Sequence, residues 1–239
     1  MKLDVLAIGA HPDDVELSCG GTLITLARQG KSVGILDLTR GELGTRGTTA
    51  IRAREAARAA TVMGVALREN LGLPDGNIDD HPDNRLKLVR VLRTLAPDII
   101  LFPYWKDRHP DHERAHVLCR EAWFAAGLEK VTTRVRGRSQ EPFRPRAYYN
   151  FMQWNEFAPS FIVDISAAFD RRVEAIQAYK SQFHDPDNKE RETILSTPHF
   201  MEMVRIRLAY YGDKIGVRYG EPFYSPAAIK VPDITALNT

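Results

Sequence analysis

The chain has 239 residues and a mass of 27.0 kDa, enough for one large α/β domain. Its 44% hydrophobic and 27% charged residues are those of a globular chain and exclude disorder, collagen and a coiled-coil rod. The 33 basic residues against 31 acids leave a net charge of +2, which gives no electrostatic case for nucleic acid or a membrane surface as partner.

Residues 3–9 (LDVLAIG) read as a short buried strand. The apolar stretch stops at His11-Pro12-Asp13-Asp14, too early and too acidic for a secretory leader. Gly20-Gly21 opens a predicted helix that ends at Gly30, a residue suited to a C-terminal cap. A second strand is expected over 32–38, an Ala- and Arg-rich helix over 48–64, and another helix over 84–95 that Pro97 stops. A strand over 98–104 and a helix over 111–126 follow. The 130–146 segment is basic, contains Gly and Pro and has no period, so it reads as a surface insertion. Strand-like runs at 148–154 and 161–165 precede a helix over about 166–182, a polar loop at 184–190 and a last helix from Thr197 to about Tyr211. This alternation predicts an α/β fold: a Rossmann-like, mainly parallel sheet with helices on both faces, as one domain over residues 1–239. No run reaches the roughly 18–20 apolar residues of a membrane span. The two cysteines, Cys19 and Cys119, suit a reducing compartment, and a cytoplasmic protein is expected.

In doubly wound sheets, ligands bind beyond the carboxyl ends of the strands. Two polar clusters fall there: AHPDD (10–14) after the first strand and DRHPDH (107–112) after a later one. Four of the seven histidines, His11, His109, His112 and His116, lie in or beside them. His11 and Asp14 are three apart, so a tight turn can aim both at one point. His112 then completes a His/His/Asp set with an open fourth position, as a hydrolytic zinc site requires. Such donors also accept Fe2+ or Co2+. Asp13, between two of them, is placed to take the proton of a bound water. Taken singly, the same acids also fit helix starts and solvated loops.

His112-Glu113-Arg114-Ala115-His116 matches the H-E-x-x-H pattern of zincin proteases with Glu113 as base. Pro110-Asp111 sets His112 at the very start of its helix, however, and that reading leaves HPDD idle. The glycine-rich loop at 41–47 is neither a Walker A loop nor a dinucleotide fingerprint. Arg52 can reach the crevice and hold an anionic group, or be one surface arginine among several. His184 and His199 sit in late loops able to close over a pocket. No serine or cysteine is set up as a nucleophile.

The two motifs, the GELGTRGT loop and a C-terminal AYKSQF…YG stretch resemble the LmbE-like, or PIG-L, zinc deacetylases of N-acetylglucosamine-type substrates. The resemblance spans nearly the whole chain. Within the family it points to the deacetylases of bacillithiol biosynthesis, which act on N-acetylglucosaminyl malate. It implies His11, Asp14 and His112 as zinc ligands and Asp13 as general base. It implies His109 as the histidine that, protonated, stabilises the developing charge or protonates the leaving amine, with Asp111 orienting it. Arg52 and Arg108 match arginines lining the substrate site. Where some members place an oxyanion-binding tyrosine, this chain has Phe200, with His199 the nearest substitute. The resemblance also implies a small-molecule N-acetylglucosaminyl substrate and a homo-oligomer, trimer or hexamer. Two other readings stay open: an amidase of a thiol–sugar conjugate on the same scaffold, and a non-enzymatic Rossmann-like sugar- or nucleotide-binding module.

Overall fold

Strand β1 (Val5–Gly9) is buried along its whole length, as a central parallel strand covered on both faces must be. In the computed structural model, which describes residues 2–236, β2 (Val33–Thr39) and β4 (Ile99–Pro103) flank it, both parallel. β3 (Leu67–Leu73) continues the sheet beyond β2, and β7 (Ala147–Phe151) continues it beyond β4. β9 (Gly220–Tyr224) pairs antiparallel with β7 and with β8 (Phe161–Asp164), giving the order β3-β2-β1-β4-β7-β9-β8. The 130–146 segment adds a separate small hairpin of β5 (Arg134–Val135) and β6 (Arg138–Ser139).

Alternation along β1 divides the core in two. Val5 and Ala7 pack with α1 (Asp14–Arg28), α2 (Thr49–Met63) and α5 (Phe169–Gln177), whereas Leu6 and Ile8 pack with α3 (Pro82–Leu95) and α4 (Pro110–Ala126). α6 (Phe200–Asp213) lies against β9. The mainly parallel α/β sheet with helices on both faces is the architecture expected from the sequence.

Local boundaries differ where a neighbour overrides the local pattern. α1 starts at Asp14, not after Gly21, and the two glycines lie inside it. Cys19 departs from helical geometry (φ −139°), and the backbone N–H groups of Gly21 and Thr22 donate to the Glu221 carboxylate at 2.9 and 2.7 Å. A Cβ on Gly21 would stand 2.8 Å from Ile165, so the glycine is there for close approach rather than as a breaker. The helix expected over 166–182 is shorter: a 3-10 turn at Ser166–Ala168 leads into α5.

What matters for function is where the strand order reverses. β1 and β4 are adjacent and parallel; the chain leaves β1 into α1 on one face and β4 into α4 on the other. This is the switch point of a doubly wound sheet, and both His/Asp loops sit at its carboxyl end.

Candidate active site

The turn after β1 is closed by its own polar groups. The His11 N–H donates to Asp14 Oδ2 at 2.8 Å, and the Asp14 N–H donates to the His11 carbonyl at 3.3 Å. The His11 ring and the Asp14 carboxylate are thereby folded together, with Nδ1 3.4 Å from Oδ2. From the first turn of α4, His112 presents Nε2 at 3.3 Å from the other carboxylate oxygen, Oδ1. One ligand atom from each of His11, Asp14 and His112 lies within 4.8 Å of the others. The far ring nitrogens are held by carboxylates: His11 Nε2 is 3.0 Å from Asp75, and His112 Nδ1 is 2.7 Å from Asp107. Carboxylates behind both imidazoles fix ring orientation and tautomer as in metal centres. Two imidazoles and one carboxylate, converging on a cavity of about 650 Å3 that all three line, fit a divalent cation.

The charges agree with that fit. Burial works against protonation of His112, but the Asp14 and Asp107 carboxylates together outweigh it and push the ring up to about 9. Burial likewise opposes a charge on His11, and hydrogen bonds to Asp111, Asp14 and Asp75 raise it well above the ordinary range. Both shifts arise from the carboxylates around the two rings, negative charge that a bound cation would otherwise compensate.

Asp13 adopts φ 110°, a left-handed backbone rare for a residue with a side chain. Its buried carboxylate accepts from the Arg52 guanidinium at 2.8 Å. Burial pushes Asp13 up, Arg52 pulls it down and Asp14 pushes it up again, leaving it at about 7. Arg52 is itself buried and also donates to the Pro12 carbonyl. It lines the cavity, but Asp13 already engages its charge. The glycine-rich loop lets it in, since a Cβ on Gly41 would collide with Arg52 Nη1.

His109 caps α4: its Nδ1 accepts the Asp111 N–H at 3.2 Å, which leaves the ring proton on Nε2. Burial and the neighbouring His11 and His112 charges hold His109 below its ordinary value, which favours the neutral ring over the protonated form that the family resemblance implies. Asp111 thus positions His109 through its backbone. Its carboxylate instead accepts from the Gly76 N–H at 2.7 Å and faces His11 Nε2 at 3.4 Å. Arg108 lies over the Trp154 ring at 4.7 Å, and both line the cavity.

His116 is turned away, its Nδ1 2.9 Å from the Pro103 carbonyl, and Glu113 accepts the Asp107 N–H at 3.0 Å, so the zincin pairing is not assembled. His199 and His184 are exposed, whereas Phe200 belongs to an apolar cavity wall with Ile194, Leu195, Met203 and Val204. Sequence reasoning assigned no role to Asp75, Asp107 or Gln153. Asp107 was within reach of it, lying in the second motif.

A family profile described as "PIG-L: GlcNAc-PI de-N-acetylase" matches residues 6–123, the span that holds both His/Asp loops. The diacetylchitobiose deacetylase of Thermococcus kodakarensis is 31% identical over 230 residues, covering 91% of this chain and 80% of that protein. A probable N-acetyl-alpha-D-glucosaminyl L-malate deacetylase 2 of Bacillus anthracis is 25% identical, over 75% of this chain and 81% of the relative. Among solved structures, a conserved protein from Thermus thermophilus has a TM-score of 0.86 at 42% identity, covering 96% of this chain and 98% of that one. The similarity runs over most of both chains and includes both loops: this chain belongs to the PIG-L, or LmbE-like, deacetylase family.

Proposed function

We propose that this protein is a metal-dependent hydrolase that removes the acetyl group from an N-acetylglucosaminyl compound, as one LmbE-like domain. The observation that carries the reading is the convergence of His11, Asp14 and His112 on one cavity, with the Asp13 carboxylate beside them at a pKa of about 7. His11, Asp14 and His112 hold the cation, for which zinc suits the donor set best. When bound, it supplies Lewis-acid polarisation of the acetamide carbonyl and lowers the pKa of water held there.

The protein's own groups do the rest. Asp13 takes the proton as the water oxygen adds to the acetamide carbon, a task suited to a base poised near neutrality. Arg52 holds that carboxylate in place. The neutral His109 donates its Nε2–H to the carbonyl oxygen as charge builds there. The C–N bond then breaks, the proton held by Asp13 passes to the amine nitrogen, and acetate and the free amino sugar leave.

Arg108 and Arg207 both line the cavity and offer cations to an acidic aglycone. That supports N-acetylglucosaminyl malate, in bacillithiol biosynthesis, as the narrower substrate, and the two deacetylases compared above are named for acetylated amino-sugar substrates. Metal content by elemental analysis, paired with release of free amine from N-acetylglucosaminyl malate, diacetylchitobiose and N-acetylglucosamine, tests both levels. About one metal per chain is expected, with amine release lost on chelation and the malate conjugate turned over fastest. A metal-loaded protein that frees no amine from any of the three sinks the reading.

A further inference from the structure

We propose that Gln153 is a further catalytic donor, its side-chain amide stabilising the acetamide carbonyl oxygen as negative charge develops on it. The inference rests on the deacetylase reading above. β7 ends at Phe151, and the residues after it are fastened from two sides. Arg207 donates to the Gln153 carbonyl, and the Trp154 and Asn155 N–H groups donate to Asp107 Oδ2 at 2.8 and 3.2 Å. The same Asp107 carboxylate holds His112 Nδ1, so the Gln153 segment and the His112 ring share one anchor.

The amide nitrogen of Gln153 consequently lies 3.3 Å from His112 Nε2, the ring nitrogen that faces Asp14. The other end of the amide, Oε1, is buried with no hydrogen-bond partner. A buried polar atom left unpaired is unfavourable, and a ligand able to complete its hydrogen bonding removes that cost. Once a cation takes the His112 Nε2 lone pair, the amide loses that neighbour too. Two N–H donors and one acceptor then stand free beside the reacting centre.

The substrate offers the complementary groups. Water oxygen adds to the carbonyl carbon, its proton goes to Asp13, and the carbonyl π pair moves onto oxygen, where the Gln153 N–H meets it. When the C–N bond breaks, the pair returns to carbon–oxygen and the amine takes the proton from Asp13. The Gln153 Oε1 accepts from a hydroxyl of the sugar, so the amide is fixed at both ends only with substrate bound. A donor that strengthens as charge builds raises kcat rather than tightening ground-state binding. Phe200 has no donor to give, and His199 is exposed outside the cavity wall, so neither of these two positions supplies the donor.

The test compares Gln153→Leu and the near-isosteric Gln153→Glu, which keeps the volume but has no donor, with the wild type. Three quantities are read: metal per chain, steady-state kinetics, and the Kd of a glucosamine methylphosphonamidate, a tetrahedral oxyanion mimic, against that of free glucosamine. Both variants are expected to keep the metal and hold KM within about threefold. Their kcat drops about a hundredfold, and binding of the mimic weakens by a similar factor. Binding of glucosamine weakens by no more than about threefold in Gln153→Leu, which loses the Oε1 contact, and holds in Gln153→Glu, which keeps an acceptor. A kcat within threefold of wild type, or equal weakening of mimic and glucosamine, overturns the proposal. Loss of metal from both variants also overturns it and makes Gln153 a ligand. A wild type that holds metal but releases no amine from any acetamido sugar overturns the deacetylase reading itself, and this inference with it.

Discussion

Asp13 combines two unfavourable features at one position: a left-handed backbone and a buried carboxylate beside a second one, Asp14. Asparagine tolerates φ > 0 better than most residues and carries no charge. Because folding raises the Asp13 pKa to about 7, the ionised carboxylate at pH 8 opposes folding, and replacing it removes that cost. Asp13→Asn is therefore expected to melt no lower than wild type at pH 8 in calorimetry, while kcat falls about a thousandfold. A clear drop in Tm contradicts the first half, and retained turnover contradicts the second. Arg52 is the cation that holds the Asp13 pKa down. Arg52→Ala should shift the acid limb of the kcat/KM profile to higher pH with metal content unchanged. An unshifted limb would show that Arg52 does not act through Asp13.

Between elements, the buried links are ionic as well as apolar. Arg68 on β3 grips Asp37 on β2 with two bonds of 2.8 Å and reaches Glu16 on α1, which also accepts the Tyr179 hydroxyl at 2.9 Å. Removing the guanidinium leaves two buried carboxylates without their cation, so Arg68→Ala is expected to lower stability by about 3–5 kcal/mol in denaturant titration. A loss below about 1 kcal/mol would mean that the sheet and α1 do not depend on this link. The same polarity hid β3 from sequence reading. LRENLGL lies at the sheet edge and fully buries only Leu73, so it lacks the apolar run that revealed β1, β2 and β4. β9 (GEPFY) was hidden because its glycine, its buried Glu221 and its internal proline leave it no apolar run. The two His/Asp loops were legible because each directly follows a buried strand. Asp75 and Gln153 were not: they meet His11 and His112 from 64 and 41 residues away, and a lone Asp in LPDG reads as a turn.

For the molecule as a whole, the proposed ligand set makes metal and protons competitors for the same nitrogens. In metal-free protein the folded state raises His112 from 6.5 to about 9. That contribution is fully present below the ordinary value and disappears as pH rises through about 9, and Asp13 adds a loss of the same sign through about 7. Chelated protein should thus become less stable from pH 6 to 9.5. The stabilisation by metal should grow over that window, because binding needs the neutral imidazoles. Paired thermal melts with and without zinc read both trends, and a gap in Tm that narrows as pH rises would refute this assignment of ligands. The apolar wall of Ile194, Leu195, Phe200, Met203 and Val204 comes wholly from chain beyond residue 190, whereas His11, Asp13, Asp14, His109 and His112 all lie within 6–123. Apart from Gln153 and Arg108, the groups proposed for bond cleavage and the apolar wall proposed to face the aglycone thus lie on separate stretches of sequence. Exchanging residues 193–204 for those of a relative is therefore expected to change which conjugate is turned over while metal content stays the same.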